Sequence, residues 1–395
     1  MEIYADHAAT TGMSRNAVAA MLPYLEEEYG NASSLHAKGQ RAAAALTAAR
    51  ETVARCLNCR PKEIIFTSGG SEADNQAILS AAENGAAKGK THMISTAFEH
   101  HAVLHTLKKL EQKGFEITWL DVHETGVITA AEVEAALREN TCLVTIIYAN
   151  NEIGTVQPIA EIGAICRKHK VPFHTDAVQA AGYLPLDVER DQVDMLSLSG
   201  HKFHGPKGVG ALYVRSGVRL HSLIEGGQQE RGKRGGTENL PAIVGMAAAL
   251  DDACTHMAEN TAHISRLRDR LIDGLGALPH TAVNGDRHRR LPGNVSLCFE
   301  GIEGESLLLL LDQKGICASS GSACTSGSLE PSHVLLAIGR PHEVAHGSLR
   351  LSLNETNSEE EIDYLLNTVP DVVNTLRGMS PVWQDLVKGV RLHVI

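Results

Sequence analysis

No apolar stretch among the 395 residues approaches the roughly 20 needed to span a bilayer, and the leucine run Leu307 to Leu311 falls far short of it. The opening segment carries Glu2 and Asp6 and lacks an apolar core, so no secretory leader is expected. A basic stripe is missing too. The 36 Lys and Arg are scattered among 47 Asp and Glu for a net charge of −11, which argues against nucleic acid as a ligand. Eight cysteines without an export signal point to reduced thiols rather than a disulfide framework. Cys56 and Cys59 form a C-x-x-C with no second pair at zinc-finger spacing, and packing is the expected role. His101 and His105 could share a helix face, but Ala102 stands where a zincin needs Glu, so surface or packing roles are expected and no metal is. These absences describe a cytoplasmic protein with no membrane partner.

What is present is a large apolar content, 43% over a length that exceeds one core, so two domains are expected. Between residues 60 and 215 the β-rich runs EIIFTS, THMIST, FEITWLDV, TCLVTIIYA, VPFHTDA, DMLSLS and VGALYV are mostly separated by helical stretches. That alternation predicts an α/β fold with a mainly parallel sheet covered on both faces, and ligands beyond the carboxyl ends of its strands. A long helical stretch beginning at Leu240, with Pro241 near its start, leads into a smaller α+β unit built from NVSLCFEG, ESLLLLLDQKG, SLRLSLN and SEEEIDYLL. The expected division is a large domain over 16–255, and a small domain over 1–15 and 256–395 that carries a Gly/Ser-rich loop at 319–328.

Three local patterns carry chemistry. In DMLSLSGHKFHGPKGVGALYV, Lys202 follows a buried strand, a place where a lysine loses charge readily and can form a Schiff base; a solvated turn lysine is the alternative. In VPFHTDAVQAAG, Asp176 ends an apolar run with Gln179 three residues on, placing a carboxylate where it could keep a pyridine nitrogen protonated; a helix N-cap is the alternative. In EIIFTSGGSEADNQAILSAA, a strand, two glycines and a helix start offer Gly70 and Ser71 as a phosphate cradle, although the pattern is neither G-x-G-x-x-G nor the P-loop, and an ordinary capped helix would read the same.

With ANNEIGTVQPI and SSGSACTSGSLEPSHVL, these patterns closely resemble the cysteine desulfurases of the NifS type, class-V aminotransferase-like enzymes that use pyridoxal phosphate. The resemblance runs from DHAATT to EEEIDYLL. It implies the aspartate-aminotransferase-like fold (fold type I), a homodimer, and release of sulfur from L-cysteine to give alanine. Lys202 looks like the Schiff-base lysine and the carrier of the substrate's Cα proton, and His100 like an imidazole stacked on the cofactor ring with acid–base duty. Asp176 and Gln179 would meet the ring nitrogen and phenolic oxygen. Gly70, Ser71, Ser199 and His201 would hold the phosphate, with Thr237 reaching the partner subunit's cofactor. Arg350 and Asn151 resemble the clamp on the substrate carboxylate, although an Arg in a strand pattern is by default a surface charge. Cys324 looks like the persulfide carrier; its Gly/Ser surroundings offer little to pack against and predict a mobile loop, whereas Cys317 ends an apolar stretch and is expected to be buried.

The stretch 31–36 is expected to shape the entrance, and Arg231 and Arg234 to order a loop. His7 in DHAATT and the sequence LSLNETNS after Arg350 depart from the family pattern at the pocket rim. Sulfur delivery to a NifU-like scaffold for nitrogenase maturation is expected. Housekeeping iron–sulfur assembly, a selenocysteine lyase or sulfinate desulfinase, and a non-catalytic relay protein are the alternatives.

Overall fold

The computed structural model describes residues 2–320 and 331–389. Its strands in chain order are β1 (Ile3–Tyr4), β2 (Ile64–Thr67), β3 (His92–Thr96), β4 (Glu116–Leu120), β5 (Thr141–Thr145), β6 (Phe173–Asp176), β7 (Met195–Ser199), β8 (Gly210–Val214), β9 (Thr281–Val283), β10 (Asn294–Phe299), β11 (Ile316–Cys317) and β12 (Ser348–Ser352). The predicted β-rich runs between residues 60 and 215 all form strands of one seven-stranded sheet, in the order β2-β8-β7-β6-β5-β3-β4.

In that sheet β8 alone runs against its neighbours, so β2, β3, β5, β6 and β7 all point their carboxyl ends to one edge. Strands β2, β3, β5, β6, β7 and β8 are buried along their whole length, as expected of a sheet covered on both faces. One face packs Ala73, Ala77 and Ile78 of helix Gly70–Ala86 and Val103 and Leu107 of helix His101–Glu111. The other packs Val53 of helix Ala37–Cys56, Ile162 of helix Ile159–His169, and Ile243 and Met246 of helix Leu240–Gly276.

A separate apolar cluster joins the antiparallel sheet β12-β10-β9, the parallel pair β1-β11 and helix Glu359–Met379. Helix Leu240–Gly276 serves both cores. Its buried apolar residues from Ala242 to Leu250 pack under the large sheet, those from Ile264 to Leu275 join the second cluster, and no buried residue lies between. Ile3 and Ala5 also belong to the second cluster, and a bridge from Asp6 to Ser352 fixes the N-terminal strand beside β12. The following residues, Ala8 and Ala9, are thereby carried to the edge of the large sheet.

Candidate active site

The carboxyl ends of five strands feed one cavity of about 400 Å³. After β2 come Gly70 and Ser71, opening a helix; after β3, His100; after β5, Asn151; β6 ends in Asp176; and β7 ends in Ser199, followed by His201 and Lys202. All of these line the cavity together with Gln179 and Arg350. Among the described residues expected at the site, Thr237 alone stands apart, in a different hollow with Thr67, Ser68, Glu230 and Arg234. Cys324 lies outside the described residues.

Lys202 sits in a one-turn 3₁₀ segment after β7, and its Nζ donates to the carbonyls of Ala8 and Ala9 at 2.7 and 2.8 Å. Gln179 Nε2 donates to the same Ala8 oxygen at 2.9 Å. The N-terminal segment thus ties the lysine and the glutamine together. Asp176 is 4% exposed, and its Oδ1 accepts from the Val178 amide at 2.9 Å. No helix follows it; residues 178–183 form turns, so the side chain closes an Asx turn rather than capping a helix. Burial raises its pKa to about 6, against the pull of the Val178 hydrogen bond and the Lys202 charge.

His100 is the N-cap of helix His101–Glu111, its Nδ1 accepting from the Ala102 amide at 3.2 Å. Burial, reinforced by Lys202, lowers its pKa to about 4, so the ring is neutral at pH 7 and carries its proton on Nε2. His201 is lowered to about 4 by the same two causes, and its Nδ1 lies 3.1 Å from Thr10 Oγ1.

Arg350 is not a surface charge. On β12 it is 2% exposed; Nη2 donates to Asp6 at 2.9 Å, Nη1 donates to the Asn151 carbonyl at 3.1 Å, and Nε has no partner although it is buried. An unpaired buried guanidinium N–H is costly, and a carboxylate in the cavity is the group that would satisfy it. The described residues on either side of 321–330 border the cavity. Ser319 exchanges both backbone hydrogen bonds with Arg350, and Ser332 donates to Glu152, a cavity residue, while His333 lines the cavity itself.

The Aminotransferase class-V family matches residues 3–365. A cysteine desulfurase IscS of Methanosarcina thermophila is 52% identical over 379 residues, covering 96% of this chain and 94% of its own. A solved NifS-like protein superposes with a TM-score of 0.89 at 39% identity, over 95% of this chain and 100% of its own. SspA, solved in complex with cysteine, gives a TM-score of 0.80 at 38% identity, over 90% and 99%. The chain belongs to the class-V aminotransferases, as a cysteine desulfurase.

This family depends on pyridoxal phosphate, and the desulfurase's donor set fits that group. The cavity holds an amine at a strand end, a buried carboxylate, a neutral imidazole and the opening turn of a 17-residue helix. Lys202, Asp176, His100 and Gly70–Ser71 would hold it.

Several features of the desulfurase were not legible in the sequence. Asp74, His101, His333 and Glu152 also line the cavity. His101 was expected to serve packing or the surface; its ring lies 4.7 Å from that of His333, a contact that only the tertiary fold creates. The stretch 31–36 contributes no lining residue to this cavity, and His36 instead caps helix Ala37–Cys56 through Nδ1. Arg234 pairs with Glu72 at 3.0 Å and Arg231 donates to the Lys62 and Ile64 carbonyls, so both order a loop. Cys56 and Cys59 pack against the large core, whereas Cys317 is half-buried on β11, less than expected.

Proposed function

We propose that Cys324 takes the sulfur of L-cysteine as a persulfide at the Arg350 end of the cavity, while Lys202 and His100 manage protons at the other end. The supporting observation is the convergence on Arg350 of an unpartnered Nε, the backbone of Ser319 and the cavity that holds Lys202. A substrate carboxylate on that arginine is a bidentate fit, with Asn151 beside it. From Ser320 to Cys324 is four residues, at most about 14 Å of extended chain, a tether long enough to permit the thiol to meet a substrate so held.

Bound pyridoxal phosphate supplies the electron sink that makes the Cα proton labile and weakens the Cβ–S bond. Lys202, oriented by the Ala8 and Ala9 carbonyls, is placed to take and return that proton. Neutral His100, with its proton on Nε2, is a hydrogen-bond donor toward the reacting groups. Cys324 gives up its thiol proton and attacks the substrate sulfur as a thiolate; an S–S bond forms as the Cβ–S bond breaks, the bonding pair stays on Cβ and takes up a proton in place of the one Cys324 released, and alanine leaves. Asp176 and Gln179 would hold the ring's polar atoms, while Gly70, Ser71, Ser199 and His201 would hold the phosphate.

The chain works as a homodimer in which Thr237 would reach the partner subunit's cofactor phosphate, a reading supported by its place in a hollow apart from the cavity. The persulfide is delivered to an iron–sulfur scaffold. The name IscS carried by the relative at 52% identity favours general cluster assembly over a nitrogenase-dedicated role. A cytoplasmic location agrees with free cysteines throughout the described residues and with the absence there of any helix long and apolar enough to cross a membrane. A division into a large domain over 16–255 and a small domain over the remainder is supported by residue 255 falling between the two buried faces of helix Leu240–Gly276.

The test is Cys324→Ala. The variant retains the visible absorbance of the bound cofactor and its shift on adding L-cysteine, but forms no alanine; wild-type alanine formation would overturn the proposal.

A further inference from the structure

Asp74 is a cavity residue with no part in the chemistry described so far. It lies on helix Gly70–Ala86, is 1% exposed, and its Oδ1 has no hydrogen-bond partner. One oxygen of Asp74, one of Asp176 and one ring nitrogen of His100 all lie within 4.8 Å of one another. Two carboxylates that close in a site shielded from water do not both ionise; one keeps a proton.

The surroundings decide which. Asp176 receives the Val178 amide and shares the cavity with the Lys202 amine, and both favour its anion. Among the groups facing Asp74, only the Ser197 hydroxyl favours its anion. His174 of β6, whose Nε2 is 3.6 Å from Asp74 Oδ1, is beyond hydrogen-bond range and engaged with Ser197 at 3.0 Å, while its Nδ1 meets Thr145 at 2.8 Å. Burial lowers His174 to about 3, so it brings no positive charge. Glu99, before helix His101–Glu111, is another buried carboxyl, raised to about 8, and His100 is neutral. Burial, then the charge of Asp176, raises the Asp74 carboxyl well above the ordinary range, although a Ser197 hydrogen bond opposes them.

We propose that Asp74 is a positioning residue: as an un-ionised acid beside Asp176, it holds the pair to a single negative charge and leaves that charge on Asp176 for the cofactor's ring nitrogen. Its role rests on Asp176 facing that nitrogen, as proposed above. The protonation itself is a property of the protein without cofactor and is tested there.

Infrared spectroscopy of the full-length apoprotein, with its aspartate carboxyls isotopically labelled, separates Asp74 from Glu99. Near neutral pH the wild type shows a label-sensitive carboxylic-acid band. Asp74→Asn loses that band, whereas Glu99→Gln keeps it. In Asp176→Asn the band weakens, because Asp74 loses the neighbouring charge that opposes its ionisation. Cofactor binding then supplies a second reading. Asp74→Asn, a neutral isostere, binds pyridoxal phosphate within about threefold of wild type, less than 1 kcal/mol by RT ln of the ratio, while Asp176→Asn binds it far more weakly. A band that survives Asp74→Asn would overturn the proposal, as would a loss of cofactor affinity in Asp74→Asn equal to that in Asp176→Asn. The labelled wild type carries the test alone if a variant misfolds, since absence of its acid band is equally fatal.

Discussion

The two ends of the cavity are built differently. The cofactor end is a row of strand ends on one sheet: Asp176 closes β6, Lys202 follows β7, and His100 caps the helix after β3, each held by backbone partners nearby in the fold. The substrate end is gathered from distant parts of the chain. Asp6, Asn151, Ser319 and Arg350 meet there, and the Arg350–Asp6 pair alone spans 344 positions. Parallel strands that share one edge deliver side chains to a common place by topology alone, whereas the substrate end depends on the second apolar cluster to bring β12 and the N-terminal segment against the large sheet. Substitutions at the cofactor end therefore alter the cofactor's spectrum, and those at the substrate end alter substrate affinity while leaving the spectrum intact.

The largest effect expected is from Lys202→Ala, which loses the covalent cofactor's absorbance and lowers kcat by roughly 10²–10⁴-fold or more, the range for loss of a proton-transferring group. Arg350→Ala comes next. Removing a buried charge with a hydrogen-bonded partner costs about 2–5 kcal/mol of substrate binding, and Arg350→Lys recovers only part because it lacks the fork. Steady-state kinetics should place most of this in KM, with the resting spectrum unchanged; a changed spectrum would break the distinction between the two ends.

A pH effect on stability sharpens the contrast. His174 supports the cofactor end at 0% exposure, and burial depresses its folded pKa to about 3 from 6.5. Its stabilising contribution is therefore present above about pH 6.5 and is lost as the pH falls toward 3, where the unfolded chain takes up a proton that the folded chain refuses. The melting-temperature gap between wild-type apoprotein and His174→Gln should narrow on acidification through that window. The smallest effect is at the other end. Ser332→Ala removes both the cap of helix His333–Ala337 and the hydrogen bond to Glu152, costing about 1 kcal/mol in thermal unfolding, again without a spectral change.

The same division governs what the sequence revealed. Apolar runs such as MLSLS and IIFT are buried on both faces and announce themselves as parallel-sheet strands, and the residues just past their ends are where chemistry belongs. Lys202, Asp176 and Gly70–Ser71 were legible for that reason. The roles of His100, Gln179 and Arg350 came from resemblance, because no local pattern distinguishes a cavity arginine on β12 from a surface one. His101 and Asp74 were missed: a histidine in HAVLH and an aspartate in a helix's early turns are ordinary in sequence, and only the packing of helices Gly70–Ala86 and His101–Glu111 on one face turns them toward the cavity. Stretch 31–36 shows the reverse case, a matching motif that lines no part of this cavity and whose last residue, His36, caps a helix.

The central claim is that sulfur leaves L-cysteine onto Cys324 at the Arg350 end of the site. The most direct measurement is peptide mass spectrometry of the holoenzyme after one turnover with L-cysteine, trapping persulfides by alkylation. One added sulfur on the peptide bearing Cys324, in step with the alanine released, is the predicted result. Alanine released with the added sulfur on Cys317, or with none on the protein, would contradict it.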